Sequence, residues 1–368
     1  MSVTPDSTLP RARRPVVVWL WTCVGLLLAM IVVGGVVRLT RSGLSITVWE
    51  PIVGAVPPLN HAAWERAFAL YRESPEFRSL NPHMDLAGFQ RIFWPEYFHR
   101  LLGRSIGLVV AVPTAVFLYK GWLGRRLLRH LFFLLVLGGL QGLVGWLMVA
   151  SGLVDAPHVS HYRLTLHLGL GLFLFGFATW IALEQTLGGY LVTEGFDGLS
   201  RVLGGFLLLV AVTALSGGLV AGLHAGHAFP TFPLMAGAWV PEGLLAMAPA
   251  WRNGFDNVIT VMFQHRVLGV SVFAFAVGLA LAARRLGLAR HARRAIDGIV
   301  LAASAQVALG ITTVLLHVPV TFGAAHQGNA ALLIAATLHA IYALRRWPAH
   351  VQLPDGVRIE PAGLPQAT

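Results

Sequence analysis

The chain has 368 residues, of which 56% are hydrophobic and only 12% are charged. A soluble domain carries about 25% charged residues, so this composition excludes an ordinary soluble protein. The formal charge of +11 comes largely from arginines clustered between apolar runs. Arginines in such positions set membrane topology, so the charge does not indicate nucleic-acid binding.

Eight apolar stretches are each long enough to cross a bilayer core of about 30 Å. The first follows a short basic N-terminus and shows no evident cleavage site, so we expect a retained helix. The predicted spans are residues 15–37, 97–119, 131–150, 164–184, 202–223, 258–282, 296–317 and 325–344. The chain is therefore predicted to be an all-α polytopic membrane protein.

Basic residues concentrate in alternate connections between these spans. With a cytoplasmic N-terminus, more than half of the 27 lysines and arginines fall in the short segments on that side. This bias follows the positive-inside rule. It predicts a multi-pass protein of a bacterial inner membrane, with both termini in the cytoplasm.

The two longest outer segments differ in character. Residues 38–96 contain "LNHAAWERAFALYRE", which is typical of a short amphipathic helix lying at the surface. Residues 224–257 contain "HAFPTFPLMAGAWVP", which is too rich in proline for a helix and is predicted to cap the bundle. The C-terminal "VQLPDGVRIEPAGLPQAT" is predicted to be a disordered tail.

A repeat relates the two halves of the chain. The start of the second span, "HRLLGRSIG", recurs at the start of the sixth as "HRVLGVSVF". The first and fifth spans end in "GGVVRLTRSG" and "GGLVAGLHAG", and the third and seventh each place a glutamine four residues before a glycine. Matches in the same order predict two pseudosymmetric four-helix bundles in parallel orientation. The predicted units are a cytoplasmic segment (1–14), an N-terminal bundle (15–184), a cytoplasmic linker (185–201), a C-terminal bundle (202–345) and a cytoplasmic tail (346–368).

Each predicted bundle contributes two histidines from its second and fourth helices. These are His99 and His167 in the first half and His265 and His326 in the second. Two imidazoles facing each other across a bundle are suited to holding a haem iron axially. Zinc would want three or four ligands and fits less well, since the chain has a single cysteine. The alternative for any one histidine is a hydrogen bond between helices.

The two halves differ beside their first histidine. Glu96 precedes His99 by three residues on one helix face, whereas the matching position in the second half is Met262. An acid beside an iron site can relay protons, which predicts that the first half is the reaction site and the second holds a fixed redox cofactor. The alternative for Glu96 is an ion pair with Arg100.

Arginines near the outer membrane boundary are candidates for binding carboxylates such as haem propionates. The predicted ones are Arg100 and Arg104 in the first half and Arg266 in the second, and Arg38 and Arg41 lie at the same boundary. The alternative for each is an arginine that reaches from the membrane interface to water.

Six stretches occur in order between roughly residues 30 and 345: "GGVVRLTRSGLSITVWEPIVGAVPPLN", "IFWPEYFHRLLGR", "VSHYRLTLHLGLGL", "GGLVAGLHAGHAFPTFPLMAG", "NVITVMFQHRVLG" and "AAHQGNAALL". Together they resemble the haem A synthase family, in its proteobacterial and mitochondrial branch. Two departures stand out. The outer loops have none of the cysteine pairs of another branch, and His224 occupies a position where an acidic or other polar residue is expected.

The resemblance implies eight membrane helices in two bundles and the oxidation of a ring methyl of haem O to the formyl group of haem A, by successive hydroxylations. It implies that His265 and His326 hold a haem b cofactor, that His99 and His167 flank the haem O iron, and that Glu96 is the catalytic acid. It also implies haem O as substrate, an electron donor that the sequence does not identify, and contacts with haem O synthase (protohaem farnesyltransferase), cytochrome oxidase assembly factors and membrane lipid.

Two other functions remain open from the residues. A di-haem b-type electron-transfer cytochrome would bind two similar haems and would not need the difference between Glu96 and Met262. A haem transporter would need a polar path to the inner side, where the spans are nearly free of ionisable groups. A homo-oligomer is compatible with either of these and with the enzyme.

Overall fold

The computed structural model describes residues 13–48, 50, 53–154, 157–187 and 197–345. These residues form twelve α-helices and two 3-10 turns, with no β-strand among them. The helices are α1 (Arg14–Leu39), α2 (His61–Arg72), α3 (Pro75–Leu80), α4 (Leu86–Tyr119), α5 (Arg125–Ala150), α6 (His161–Leu187), α7 (Asp197–Gly222), α8 (Ala225–Ala228), α9 (Asn253–Asp256), α10 (Val258–Arg285), α11 (Arg290–Leu315) and α12 (Val320–Arg345). The predicted disordered tail lies outside the described residues.

Eight of these helices are long and apolar enough to cross a membrane: α1, α4, α5, α6, α7, α10, α11 and α12. This confirms the predicted all-α polytopic membrane protein. Most predicted spans lie within these helices, which extend a few residues further at one or both ends because the terminal turns are polar.

The start of α4 departs most from its predicted span. The helix begins at Leu86, where the Asp85 side chain accepts a hydrogen bond from Gly88 N at 2.7 Å, and not near residue 97. Its first turns pack Phe89 and Phe93 against α2 instead of lipid, so membrane hydropathy does not reveal them. As a consequence, Glu96 lies well inside a long helix and not at its entrance.

The predicted amphipathic surface helix is confirmed as α2. Asn60 caps it by accepting a hydrogen bond from Ala63 N at 2.9 Å. Phe68 and Tyr71 point into an aromatic cluster with Phe89 of α4. The outer segment therefore rests on the extension of α4 and fixes the chain around Glu96.

The outer segment 224–257 is mostly irregular, as predicted. Met235 is buried against Met262 of α10, so the segment covers the second half. Asp256 also joins it to α6, accepting a hydrogen bond from Tyr162 Oη at 2.6 Å and lying 3.1 Å from His161 Nε2.

The membrane helices pack in two rings of four. In one ring α1 contacts α4, α4 contacts α5, α5 contacts α6 and α6 closes on α1; α7, α10, α11 and α12 make the same sequence of contacts. The rings meet where α1 packs on α12 and α6 packs on α7 and α12. The pattern of contacts stays the same when α1, α4, α5 and α6 are exchanged for α7, α10, α11 and α12 in that order. Two pseudosymmetric bundles would give such a pattern.

One buried acid lies where the sequence suggested almost no ionisable groups. Glu184, near the end of α6, has its Oε1 atom 2.6 Å from Arg126 Nη2 of α5, and its Oε2 atom lies 3.8 Å from His130 Nδ1. Glu184 is 2% exposed. The pair ties α5 to α6 at the end of the first ring away from the predicted histidine sites.

Candidate functional site

The second half brings the imidazole rings of His265 on α10 and His326 on α12 close together. Their ring centroids are 6.4 Å apart and the ring planes meet at 78°. Two imidazoles on opposite sides of one metal, each with a metal–nitrogen bond of about 2.0 Å, would have centroids about 6 Å apart. The spacing therefore fits one iron between the two rings.

Hydrogen bonds fix which nitrogen of each ring carries the proton. Ser216 donates its own hydroxyl proton to Thr213 O, so its Oγ accepts from His265 Nδ1 at 2.7 Å. His326 Nδ1 lies 3.1 Å from Gln306 O, a carbonyl that can only accept. Both Nδ1 atoms are thus donors, and both Nε2 atoms are the bare nitrogens that a metal binds.

The glutamine beside His326 is itself held. Asn329 Nδ2 donates to Gln306 Oε1 at 2.7 Å, which turns the amide nitrogen of Gln306 toward His326 Nε2 at 3.3 Å. Because Gln306 Nε2 is an amide donor, its position agrees with the assignment of His326 Nε2 as an acceptor.

In the first half, His99 of α4 and His167 of α6 lack these anchors. His99 Nδ1 lies 3.9 Å from Glu96 Oε2, beyond hydrogen-bond distance. His167 Nδ1 and Gln141 Oε1 are buried and make no hydrogen bond with described residues. Gln141 Nε2 instead donates to His167 O at 3.0 Å. The first half thus has a glutamine and two histidines as the second half does, but its imidazole rings have fewer hydrogen bonds to hold them.

All four histidines lie against a glycine of a neighbouring helix. A Cβ atom added to Gly145 or Gly310 would lie 2.8 or 2.9 Å from Cε1 of His167 or His326. At Gly34 it would lie 3.3 Å from His99 Nε2, and at Gly217 3.1 Å from His265 Cε1. These four glycines occupy matching positions in the sequence repeat, so each half positions its histidines by the same close contacts.

Glu96 is 3% exposed and forms the predicted alternative contact, an ion pair with Arg100. Arg100 Nε lies 2.5 Å from Glu96 Oε1, which leaves Oε2 on the side of His99. The carboxylate is therefore both paired and adjacent to the histidine, so the ion pair does not exclude a role in chemistry.

The predicted arginines separate into two groups. Arg100 Nη2 donates to Ile46 O and Arg104 Nη2 to Glu50 O, each at 2.8 Å, so both hold the loop that follows α1. Arg266 lines a cavity of about 290 Å³ that reaches His265 and His326. Of the three arginines, only Arg266 is placed at the cavity of the second half.

Sequence reasoning missed two residues of the site. Ser216 and Asn329 anchor the second histidine pair, but single polar residues in an apolar helix carry no distinctive pattern. Arg38 and Arg41, which the sequence placed at the outer boundary, line the cavity together with His224 and His227. Burial lowers the pKa of His224 to about 4, with the charge of Arg38 adding to the effect.

Zinc usually takes three or four ligands at a protein site. Within the part of the chain that the structure describes, no three His, Cys, Asp or Glu side chains are placed to hold a metal ion. Paired histidines suit a metal that brings its own equatorial ligands, as haem iron does.

Comparison with known proteins places the chain among related sequences. Residues 17–338 match the family model COX15-CtaA, described as cytochrome oxidase assembly protein. The Heme A synthase of Nitrosospira multiformis is 44% identical over 355 residues, covering 94% of this chain and all of the relative. The Heme A synthase of Azorhizobium caulinodans is 46% identical over 350 residues, covering 94% of this chain and 99% of the relative. Heme A synthase COX15 of Mus musculus is 41% identical over 345 residues, covering 92% of this chain and 84% of the relative.

Proposed function

Because the chain belongs to the COX15-CtaA family of cytochrome oxidase assembly proteins, we propose that it is a haem A synthase, as its relatives are named. The observation that carries the proposal is the paired arrangement of histidines in matching positions of the two helix rings, with a buried acid beside only one pair. It is an enzyme of the membrane.

In this proposal the second half holds haem b. His265 and His326 would hold the haem iron through their Nε2 atoms, since their Nδ1 atoms are hydrogen-bonded to Ser216 and Gln306. The centroid separation of 6.4 Å fits this ligation. When bound, haem b supplies one-electron redox chemistry. Arg266 lines the same cavity and offers a guanidinium to a propionate.

The first half binds the substrate, haem O, between His99 and His167. The reaction would be the oxidation of a ring methyl to a formyl group by two hydroxylations, followed by loss of water from the resulting hydrate. In each hydroxylation dioxygen would be the oxidant: one oxygen atom enters a C–H bond, which supplies one electron pair, and the other leaves as water with a second electron pair from the electron donor. The Nδ1 atoms of His99 and His167 have no hydrogen bond to a described residue that fixes their rings. Such rings can move, which suits a substrate that must enter and a product that must leave.

Glu96 is the residue that handles protons. Its Oε1 atom is held by Arg100, and its Oε2 atom lies 3.9 Å from His99 Nδ1. A proton released during oxidation would be held at Oε2, and Arg100 keeps that oxygen directed at the site. Because burial excludes water from the Glu96 carboxylate, Glu96 would exchange protons with the substrate haem bound beside His99 and not with bulk solvent.

The direct test is chromatography of haems extracted from membranes that contain this protein, a haem O synthase and an electron donor. Haem A should appear with the wild-type chain and disappear with His99→Ala. A haem-loaded wild-type protein that leaves only haem B and haem O would instead support an electron-transfer cytochrome. Protein partners, including the electron donor and haem O synthase, follow from the reaction and are part of the proposal, as is the orientation with both termini in the cytoplasm.

A further inference from the structure

Cationic and imidazole side chains converge on the cavity of the second half. The cavity is lined by Arg38, Arg41, His224, His227 and Arg266, together with His265 and His326. None of its described lining residues is an aspartate or glutamate. Such a wall is complementary to an anion.

Two of these arginines have buried donors with no partner. Arg38 Nε and Arg266 Nε make no hydrogen bond, although both are shielded from solvent. The Nη2 atom of each guanidinium has partners: Arg38 Nη2 donates to Ala221 O and lies 3.2 Å from His224 Nε2, and Arg266 Nη2 donates to Phe229 O at 2.9 Å. An unmade hydrogen bond on a buried charged group is costly, so an acceptor in the cavity is expected.

The backbone around this wall is strained. Arg41 and His224 adopt left-handed conformations, with φ of 52° and 54°, at matching positions after α1 and α7. Val318, which also lines the cavity, has φ of 62°, a rare value for a β-branched residue. Strain of this kind persists where surrounding structure fixes side chains for a ligand.

We propose that Arg38 of α1, together with Arg266, binds the propionate carboxylates of the haem b cofactor, so that the first half completes the cofactor site of the second. The proposal rests on the proposed function. Arg38 belongs to the helix ring that holds the substrate, and the preceding turn of α1 carries Gly34, which contacts His99. Arg41 is left out because its positive charge also acts on the buried carboxylate of Glu76, whose pKa burial raises and the charge of Arg41 lowers.

The test uses the detergent-solubilised holoprotein and measures how fast haem b is lost to excess apomyoglobin. Arg38→Gln should lose haem about tenfold faster than wild type, because a charge-assisted hydrogen bond to a carboxylate is removed. Its absorbance spectrum should still show two axial histidines. The matched control is Arg163→Gln, an exposed arginine of α6 that donates to Leu147 O and should leave the rate unchanged.

A second arm separates propionate binding from a general loosening of the fold. Protein reconstituted with the dimethyl ester of haem b, which has no carboxylates, should lose it at the same rate with and without Arg38. The proposal would be overturned if Arg38→Gln lost free-acid haem b at the wild-type rate. It would also be overturned if the substitution accelerated the loss of the dimethyl ester as much as the loss of the free acid. A wild-type protein with no bis-histidine haem spectrum would overturn the cofactor assignment itself, a different failure.

Discussion

The two halves use the same glycines, glutamines and histidines, yet only the second locks its rings in place. His265 is anchored by Ser216, whose counterpart in the first half is Val33. The glutamine at His326 is oriented by Asn329, whose counterpart is Leu170. The repeat thus supplies the same arrangement of glycine, glutamine and histidine in both halves. In our proposal, a few polar substitutions determine whether the haem in each half is bound permanently or transiently.

The buried acid, by contrast, lies in the half whose histidines have fewer hydrogen bonds. Glu96 stands beside the loosely held histidine, and Met262 stands beside the anchored one. A buried carboxylate next to a permanent cofactor would disturb its charge without serving a reaction. This contrast agrees with the proposal that the second half binds a resident cofactor and the first half carries out the reaction.

Substituting the four paired histidines should have the largest effect and would test the different roles proposed for the two halves. His265→Ala or His326→Ala should abolish the bound b-type spectrum, because one axial ligand is lost. His99→Ala or His167→Ala should keep that spectrum and abolish haem A formation. Absorbance spectra of the purified variants, with haem extraction, give both readouts. Loss of the b-type spectrum in His99→Ala would contradict the assignment of the halves.

Replacing the acid should separate binding from chemistry. Glu96→Gln keeps the shape of the side chain and should lower the rate of haem A formation about 100-fold or more, the usual contribution of a positioned acid or base. Haem b content should stay at the wild-type level, which serves as the internal control. If haem A forms at the normal rate, Glu96 has only its structural role as partner of Arg100.

Much of this arrangement could be predicted from the sequence, since a repeat makes functional residues visible as matched pairs. The four histidines and Glu96 were singled out in this way, and the eight spans were predicted from their hydropathy. The outer turns of α4 were missed because aromatic residues packed on α2 do not resemble a lipid-facing run. The sequence placed Arg38 at the outer boundary but could not predict its contact with Ala221, which depends on how two helices far apart in the chain meet.

A matched pair of glycine substitutions should affect one half at a time. Gly310→Ala would place a methyl group 2.9 Å from His326 Cε1, and Gly145→Ala would place one 2.8 Å from His167 Cε1. Each ring must shift, so we expect roughly tenfold weaker haem b binding in the first variant and a similar loss of haem A formation in the second. Haem retention and haem extraction measure the two effects. Equal losses of haem b in both variants would show that the sites are not independent.

An effect of similar size is expected when the hydrogen bond that anchors His265 is removed. Ser216→Ala removes the acceptor of the His265 Nδ1 proton and leaves a buried donor unpaired, so haem b should be lost about tenfold faster, with its ligation preserved. Val33→Ser, the reciprocal change, offers the first half a hydroxyl at the matching position. If anchoring distinguishes a resident from a passing ligand, Val33→Ser should retain more haem O after purification and release haem A more slowly. Unchanged retention in both variants would leave Glu96 as the feature that separates the two halves.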